Sequence, residues 1–242
     1  MTCTYGGIDG CRAGWFCVFL DPDDGWDYRL APDAQVLAQS VRQVSTALID
    51  IPIGLLDQGR DERRCDVEAR RLLGRPRSAS VFAAPVRAAL GVTDYVAAGN
   101  TNRRLTGRGL SRQSWALVPK IRDVDNLLRD FPALRGVLRE CHPEVGLCML
   151  NGGRAMLGNK KQARGREERL EVLRRYFPAA DALLRKAAAR YLRRQVALDD
   201  VIDAMVSAVT AKWGDGAYRT LPAERITDSR GNAMEIVYWQ PV

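Results

Sequence analysis

Residues 5–15 read YGGIDGCRAGW, and the apolar run WFCVFL continues from Trp15 to Leu20. One aspartate, Asp9, ends the first predicted strand, ringed by glycines. An unpaired buried charge is very costly, so a carboxylate beside Ile8 either finds a partner or reaches the surface. A second strand follows in AGWFCVFL (13–20) and a third in WDYRLA (26–31), separated by DPDDG with its Asp-Gly turn signal. DAQVLAQSVRQ (33–43) places Val36, Leu37, Ser40 and Val41 at helical spacing, with Asp33 as N-cap. STALIDIPIGL (45–55) is almost continuously apolar, the pattern of a central strand covered on both faces. Pro52 and Gly54 end it quickly and leave Asp50 near its C-terminal edge, where open α/β sheets bind ligands. The first sixty residues thus predict β-β-β-α-β.

Beyond them, residues 57–112 read as an insertion. DERRCDVEARRLLG is an Arg-rich helix stopped by Gly74, and RPRSASVFAAP is a basic loop leading to a short helix. AAGNTNRRLTGRGLSR is polar enough to be mobile. SWALVPKIRDVDNLLRDFP (114–132) is amphipathic and interrupted by Pro119, and GVLRECHPEVGLCML (136–150) reads as a strand entering a loop. Two basic helices follow, then LDDVIDAMVSAVTAKWG (198–214) closed by Gly214, and a final strand in AMEIVYW. The expectation is a single domain over 1–242 with the insertion inside it.

Composition narrows the class. No apolar run is long enough for a membrane span, and no basic-then-apolar N-terminal segment signals secretion. The six cysteines (Cys3, Cys11, Cys17, Cys65, Cys141 and Cys148) form no C-x-x-C pair, and His142 is the one histidine. A zinc cluster and a Ser-His-Asp triad are therefore disfavoured, and reduced, mostly buried thiols in a cytoplasmic protein are expected. The net charge of +8 is concentrated in residues 60–112 and 154–194. Clustered arginine at a pI near 9.4 suits a polyanion such as nucleic acid.

The last long helix carries an apolar stripe, Leu198, Val201, Ile202, Met205, Ala208 and Val209, with Asp199, Asp200 and Asp203 on another face. Asp199 or Asp200 can serve as a cap, but Asp203 lies a full turn in. Ala204, Ser207 and Ala211 would let this face approach another element closely. Asp9 on strand one, Asp50 on strand four and a late acidic helix make the RNase H-like arrangement: an α/β fold with a mixed five-stranded sheet flanked by helices, here with a helical Arg-rich insertion. Converging carboxylates repel until divalent cations neutralise them.

GIDGCRAGW, IDIPIGL, RRCDVEARRLLG with SVFAAP, QSWALVPKI, ECHPEV and DDVIDA, in that order over residues 6–213, resemble a bacterial and archaeal family of unknown function classed as predicted RNase H-like nucleases, domain of unknown function 429. The resemblance implies Asp9, Asp50, Asp200 and Asp203 as ligands of two Mg²⁺ or Mn²⁺ ions. It adds Glu144 as a further catalytic participant, with Glu140 a weaker candidate. Many members carry a second glycine where this chain has Ala13, and Pro or Lys at Arg12, a change that bears on how the turn meets a phosphate. Lys120 and Gln113 suit phosphate or base contacts, and Arg63, Arg64, Arg70, Arg71, Arg75 and Arg77 form the expected electrostatic cradle. His142, before Pro143, reads as a structural turn residue rather than a base. The leading expectation is hydrolysis of DNA or RNA phosphodiester bonds by a metal-activated water. Two alternatives stand beside it: an actin-like-fold ATPase or phosphotransferase, and a nucleic-acid-binding module without catalysis. No G-x-x-x-x-G-K-[ST] loop supports a P-loop enzyme.

Overall fold

The computed structural model describes residues 4–241, so Cys3 lies outside the described residues. The opening elements are β1 (Tyr5–Cys11), β2 (Gly14–Leu20), β3 (Trp26–Ala31), α1 (Ala34–Val41) and β4 (Thr46–Ile49). Asp33 caps α1 as expected, its Oδ1 accepting from the Gln35 and Val36 N–H groups at 2.9 Å. The insertion supplies α2 (Arg64–Arg77) and α3 (Tyr95–Thr106), followed by α4 (Arg112–Asp130) and β5 (Leu138–Glu140). The remaining elements are α5 (Pro143–Leu150), α6 (Ala163–Arg174), α7 (Ala180–Arg190), α8 (Leu198–Trp213), β6 (Arg219–Leu221) and β7 (Ile236–Tyr238).

Five strands form one mixed sheet in the order β3-β2-β1-β4-β5. β1, β2 and β3 pair antiparallel, whereas β4 and β5 run parallel to β1. The ladder between β1 and β4 continues one residue further, where the Asp50 N–H donates to the Ile8 carbonyl at 3.0 Å. Asp9 and Asp50 therefore leave the same edge of adjacent strands.

Alternation along the strands divides the core. Ile8, Trp15, Cys17, Ala47 and Ile49 face α1 and α4, while Cys11, Phe16, Val18 and Leu20 face α8 and its neighbours. α8 is buried on every side from Val201 to Ala211, so it is a central helix rather than an amphipathic cover. Small residues let it lie on the sheet. A Cβ at Gly7 would fall 2.1 Å from both the Ala204 carbonyl oxygen and the Ala208 amide nitrogen.

Three segments differ from the sequence reading. AAGNTNRRLT is helical, forming most of α3, where buried Asn102 accepts from the Val86 N–H at 3.0 Å and donates to the Arg108 carbonyl at 2.9 Å. α4 runs unbroken through Pro119, held by the buried stripe Val118, Ile121, Val124, Leu127 and Leu128. The stretch after β5 is α5 rather than a loop, with Pro143 in the first turn, where a missing N–H costs nothing. The final strand expected in AMEIVYW is present as β7, which pairs with β6 in a separate two-stranded sheet and touches the main sheet through the Cys141–Val237 bridge. Gly74 does interrupt α2, at φ +56°, before a last turn reaches Arg77. The five described cysteines are free and buried. Among the described residues no helix is long and apolar enough to cross a membrane.

Gly7→Ala should cost at least about 3 kcal/mol, the upper range for forcing atoms into a packed core, since backbone rather than a flexible side chain must move. Gly99, inside α3 with open space around its missing Cβ, should gain up to about 1 kcal/mol as Gly99→Ala. Urea unfolding midpoints of the two variants would compare them directly.

Candidate active site

A cleft of about 620 Å³ opens at the sheet edge where β1 and β4 end. Asp9, Asp50, Glu144, Asp200 and Asp203 all line it. Each arrives for a distinct local reason. Asp9 is on the α8-facing side of β1, Asp50 follows the last residue of β4, Glu144 sits in the first turn of α5, and Asp200 and Asp203 come from the first turns of α8. Close contact between α8 and Gly7 sets the last pair beside the first. Asp9, Glu144 and Asp203 are buried; Asp50 and Asp200 are half-buried.

The five carboxylates are not equally committed. Asp200 Oδ2 accepts from the Ala197 N–H at 2.8 Å, so it caps its own helix while facing the cleft. Asp203 Oδ2 accepts from Lys160 Nζ at 2.5 Å. Glu144 Oε1 is ion-paired with the Arg169 guanidinium, leaving Oε2 buried without a partner. Among the described residues none donates a hydrogen bond to the side chain of Asp9 or Asp50.

Crowding shifts their proton affinities. Burial, reinforced by Asp50, Asp203 and Asp200, raises Asp9 well above the usual carboxylate range. Burial raises Asp50 as well, against the pull of His142 and Lys160. Asp200 and Asp203 are each pushed up to about 6 by burial, opposed respectively by the Ala197 N–H and the Lys160 ammonium. Burial works against the charge on Lys160, yet Asp203 and Asp9 outweigh it and raise the lysine.

The walls are basic. Lys120 donates to the Gly14 carbonyl at 2.6 Å and sits 4.4 Å from the centre of the Trp15 ring, with burial lowering its proton affinity. Gln113, Arg77 and Lys161 also line the cleft. Of the two expected substrate-binding arginines, Arg77 lines the cleft and Arg75 lies exposed outside it.

Arg63 lines the cleft together with Asp66 and Glu140, but as a buried residue rather than a surface one. It is 3% exposed, and its guanidinium binds Asp66 at 2.6 Å, Glu140 at 2.6 Å and the Ile53 carbonyl at 2.8 Å. The same arrangement engages Glu140. Cys65, Asp66 and Glu140 have ligand atoms within 4.8 Å of one another, but Arg63 already supplies the cation, and Glu140 Oε2 further accepts from the Ile53 N–H at 2.6 Å. The group is a structural ion-pair network joining the insertion to β5.

Sequence reading missed Lys160 and Arg169, and the structure brings His142 into the cleft. His142 lines it near Asp50, with Nε2 3.4 Å from the Ser80 carbonyl and a buried Nδ1 without a partner. A signal for Lys160 existed: the chain has five lysines against its many arginines, and Lys120, Lys160 and Lys161 all line this cleft.

A carboxylate cluster on the ligand-binding edge of a mixed α/β sheet, walled by lysine and arginine, defines a candidate site for a cation and an anionic substrate. The chain belongs to the family described as Protein of unknown function (DUF429), which matches residues 7–227. No curated protein and no solved structure matches it.

Two outcomes test this geometry. Arg169→Met strands the Glu144 charge in the interior and should cost about 3–5 kcal/mol, much of it recovered in the Arg169→Met, Glu144→Gln double variant; chemical denaturation of all three variants measures the coupling. The second concerns pH. Asp203 binds its proton more tightly folded, near 6, than unfolded, near 4. Its contribution is therefore complete below about pH 4 and is lost as pH rises through about 6. In chelator, Asp203→Asn should gain stability relative to the wild type across that window, read as the difference in melting temperature at each pH.

Proposed function

We propose that this chain is a divalent-metal-dependent nuclease of RNase H-like fold that hydrolyses phosphodiester bonds of DNA or RNA. The observation that carries the reading is the pair Asp9 and Asp50. They project from adjacent parallel strands into a cleft, and among the described residues none donates a hydrogen bond to either side chain, beside three more carboxylates. The strand order β3-β2-β1-β4-β5, with acidic residues on β1, after β4 and on the last long helix, is that of RNase H-like folds.

The donor set fits magnesium or manganese. Every ligand candidate is a hard carboxylate oxygen, with neither thiolate nor imidazole among them. Asp9 and Asp50 would hold the ion, with Asp200 and Asp203 completing the negative field. A bound divalent cation supplies the positive charge that lowers the cost of generating a nucleophile from water and of charge developing on phosphate oxygens. The protein's own groups do the rest. Lys120, Arg77 and Lys161 bind the phosphate and fix its register, since Lys and Arg contacts to phosphate position a strand without reading its sequence. Glu144 keeps Oε2 free while Arg169 holds the carboxylate in place, so it can take a proton from the attacking water.

Asp9→Asn and Asp50→Asn should each lower manganese-dependent cleavage roughly a hundredfold or more, matching the several kcal/mol that metal-held charge supplies. The assay is release of labelled fragments from DNA and RNA, single-stranded and duplex, with melting curves as a folding control. Undiminished cleavage by both folded variants would refute the reading.

A further inference from the structure

The site as built already contains a cation. We infer that the Lys160 ammonium takes the place of a second metal ion, so that the site binds a single divalent cation, between Asp9 and Asp50. The inference rests on the metal-site reading above and specifies its stoichiometry.

Lys160 is no loose surface lysine. Its Nζ lies 2.5 Å from Asp203 Oδ2, and Asp9 and Asp50 contribute to the field that keeps it charged. The segment carrying it is locked onto α6. Glu168 accepts from the Leu157 and Gly158 N–H groups at 2.8 and 2.7 Å, and the Arg169 guanidinium donates to the Gly158 carbonyl at 3.0 Å. Gly158 and Gly165 meet so closely that a Cβ on Gly165 would fall 2.1 Å from the Asn159 carbonyl oxygen. On the other side the Arg77 guanidinium donates to the Leu157 carbonyl at 3.0 Å. Lys160 is thus aimed at the carboxylates by a built platform.

Arg169 serves two parts of this arrangement. The guanidinium that grips the Lys160 platform also pairs with Glu144. The two protein cations therefore neutralise one half of the carboxylate set, Asp203 and Glu144. Asp200 is partly engaged by the Ala197 N–H. Asp9 and Asp50 have no ion-pair partner among the described residues, and Asp9 is 7% exposed. A second divalent ion would have to displace Lys160 from Asp203 and would meet its positive charge at close range. One ion at Asp9 and Asp50 leaves the Lys160–Asp203 pair in place. Lysine is a compact point charge and can act as a fixed counter-ion to phosphate as well as to carboxylate.

Calorimetric titration of MnCl₂ into the wild type, Lys160→Met and Lys160→Arg tests this independently of any nuclease assay. The wild type and Lys160→Arg should take up about one ion per chain, and Lys160→Met about two, because removing the ammonium frees Asp203 for metal. Manganese should also raise the melting temperature of Lys160→Met more than that of the wild type, by mass action through the extra ion. Two ions in the wild type would overturn the inference and leave the nuclease reading standing. Equal stoichiometry and equal melting shifts in the wild type and Lys160→Met would also overturn it. No ion bound by any of the three would overturn both.

Discussion

The contact of α8 with β1 at Gly7 governs the rest of the molecule. A helix packed on a sheet ordinarily stands off by the depth of a side-chain layer. Here the missing Cβ of Gly7 and the small residues Ala204 and Ala208 bring backbone against backbone. The gain is positional. Asp203, one residue before Ala204, is carried to the level of Asp9, two residues after Gly7. Had α8 stood at an ordinary distance, Asp9 and Asp203 could have been solvated separately. Burial, then Asp50 and then Asp203 raise the proton affinity of Asp9. The carboxylate cluster at this place is therefore a consequence of how tightly the core closes.

Such a cluster would be destabilising by itself, because each buried carboxylate loses hydration and repels its neighbours. The fold offsets this with cations brought from a distant part of the sequence. Lys160 and Arg169 flank the start of α6, far along the chain from Asp9, and reach Asp203 and Glu144 respectively. The basic block at residues 154–194 thus has two functions by location. Some of its charge lies on exposed helix faces, and some neutralises the interior. A similar division holds for residues 60–112, where Arg63 is buried between Asp66 and Glu140 while Arg64 and Arg71 remain exposed. Net charge per block indicates affinity for polyanions only after these internal pairs are removed from the count.

That distinction marks what the sequence could reveal. The five strands and α1 were legible because their signals are local: alternation, a turn dipeptide, an N-capping aspartate and a proline that ends β4. Asp9, Asp50, Asp200 and Asp203 were legible because strand order and helix spacing fix where they go. α3 was misread because its polar composition suggests solvent, whereas Asn102 finds partners contributed by neighbouring segments. Pro119 was misread because propensity assigns it a break that the buried stripe of α4 overrides. Arg63 and Arg75 were grouped by residue type, although their burial is opposite. Lys160 was missed because its partner is 43 residues away and nothing in GNKKQARG specifies that separation. The glycines at 158 and 165 in that stretch were the local trace of the platform, and a close approach of two backbone segments is what they permit.

The same reasoning explains why the site can remain open to ligands. A fully neutralised cluster would have every carboxylate paired, as Arg63 does for Asp66 and Glu140, where both acids are saturated by one guanidinium and neighbouring backbone. That network joins parts of the fold and leaves no vacancy for a cation. Around Asp9 the supply of protein cations stops short: Lys160 pairs with Asp203, Arg169 with one oxygen of Glu144, and the strand-end pair is left facing the cleft. Both clusters contain buried acids and an associated basic residue, yet they differ in the number of unused acceptor groups. Unused acceptors, rather than the number of acidic residues, separate the candidate active site from the structural one.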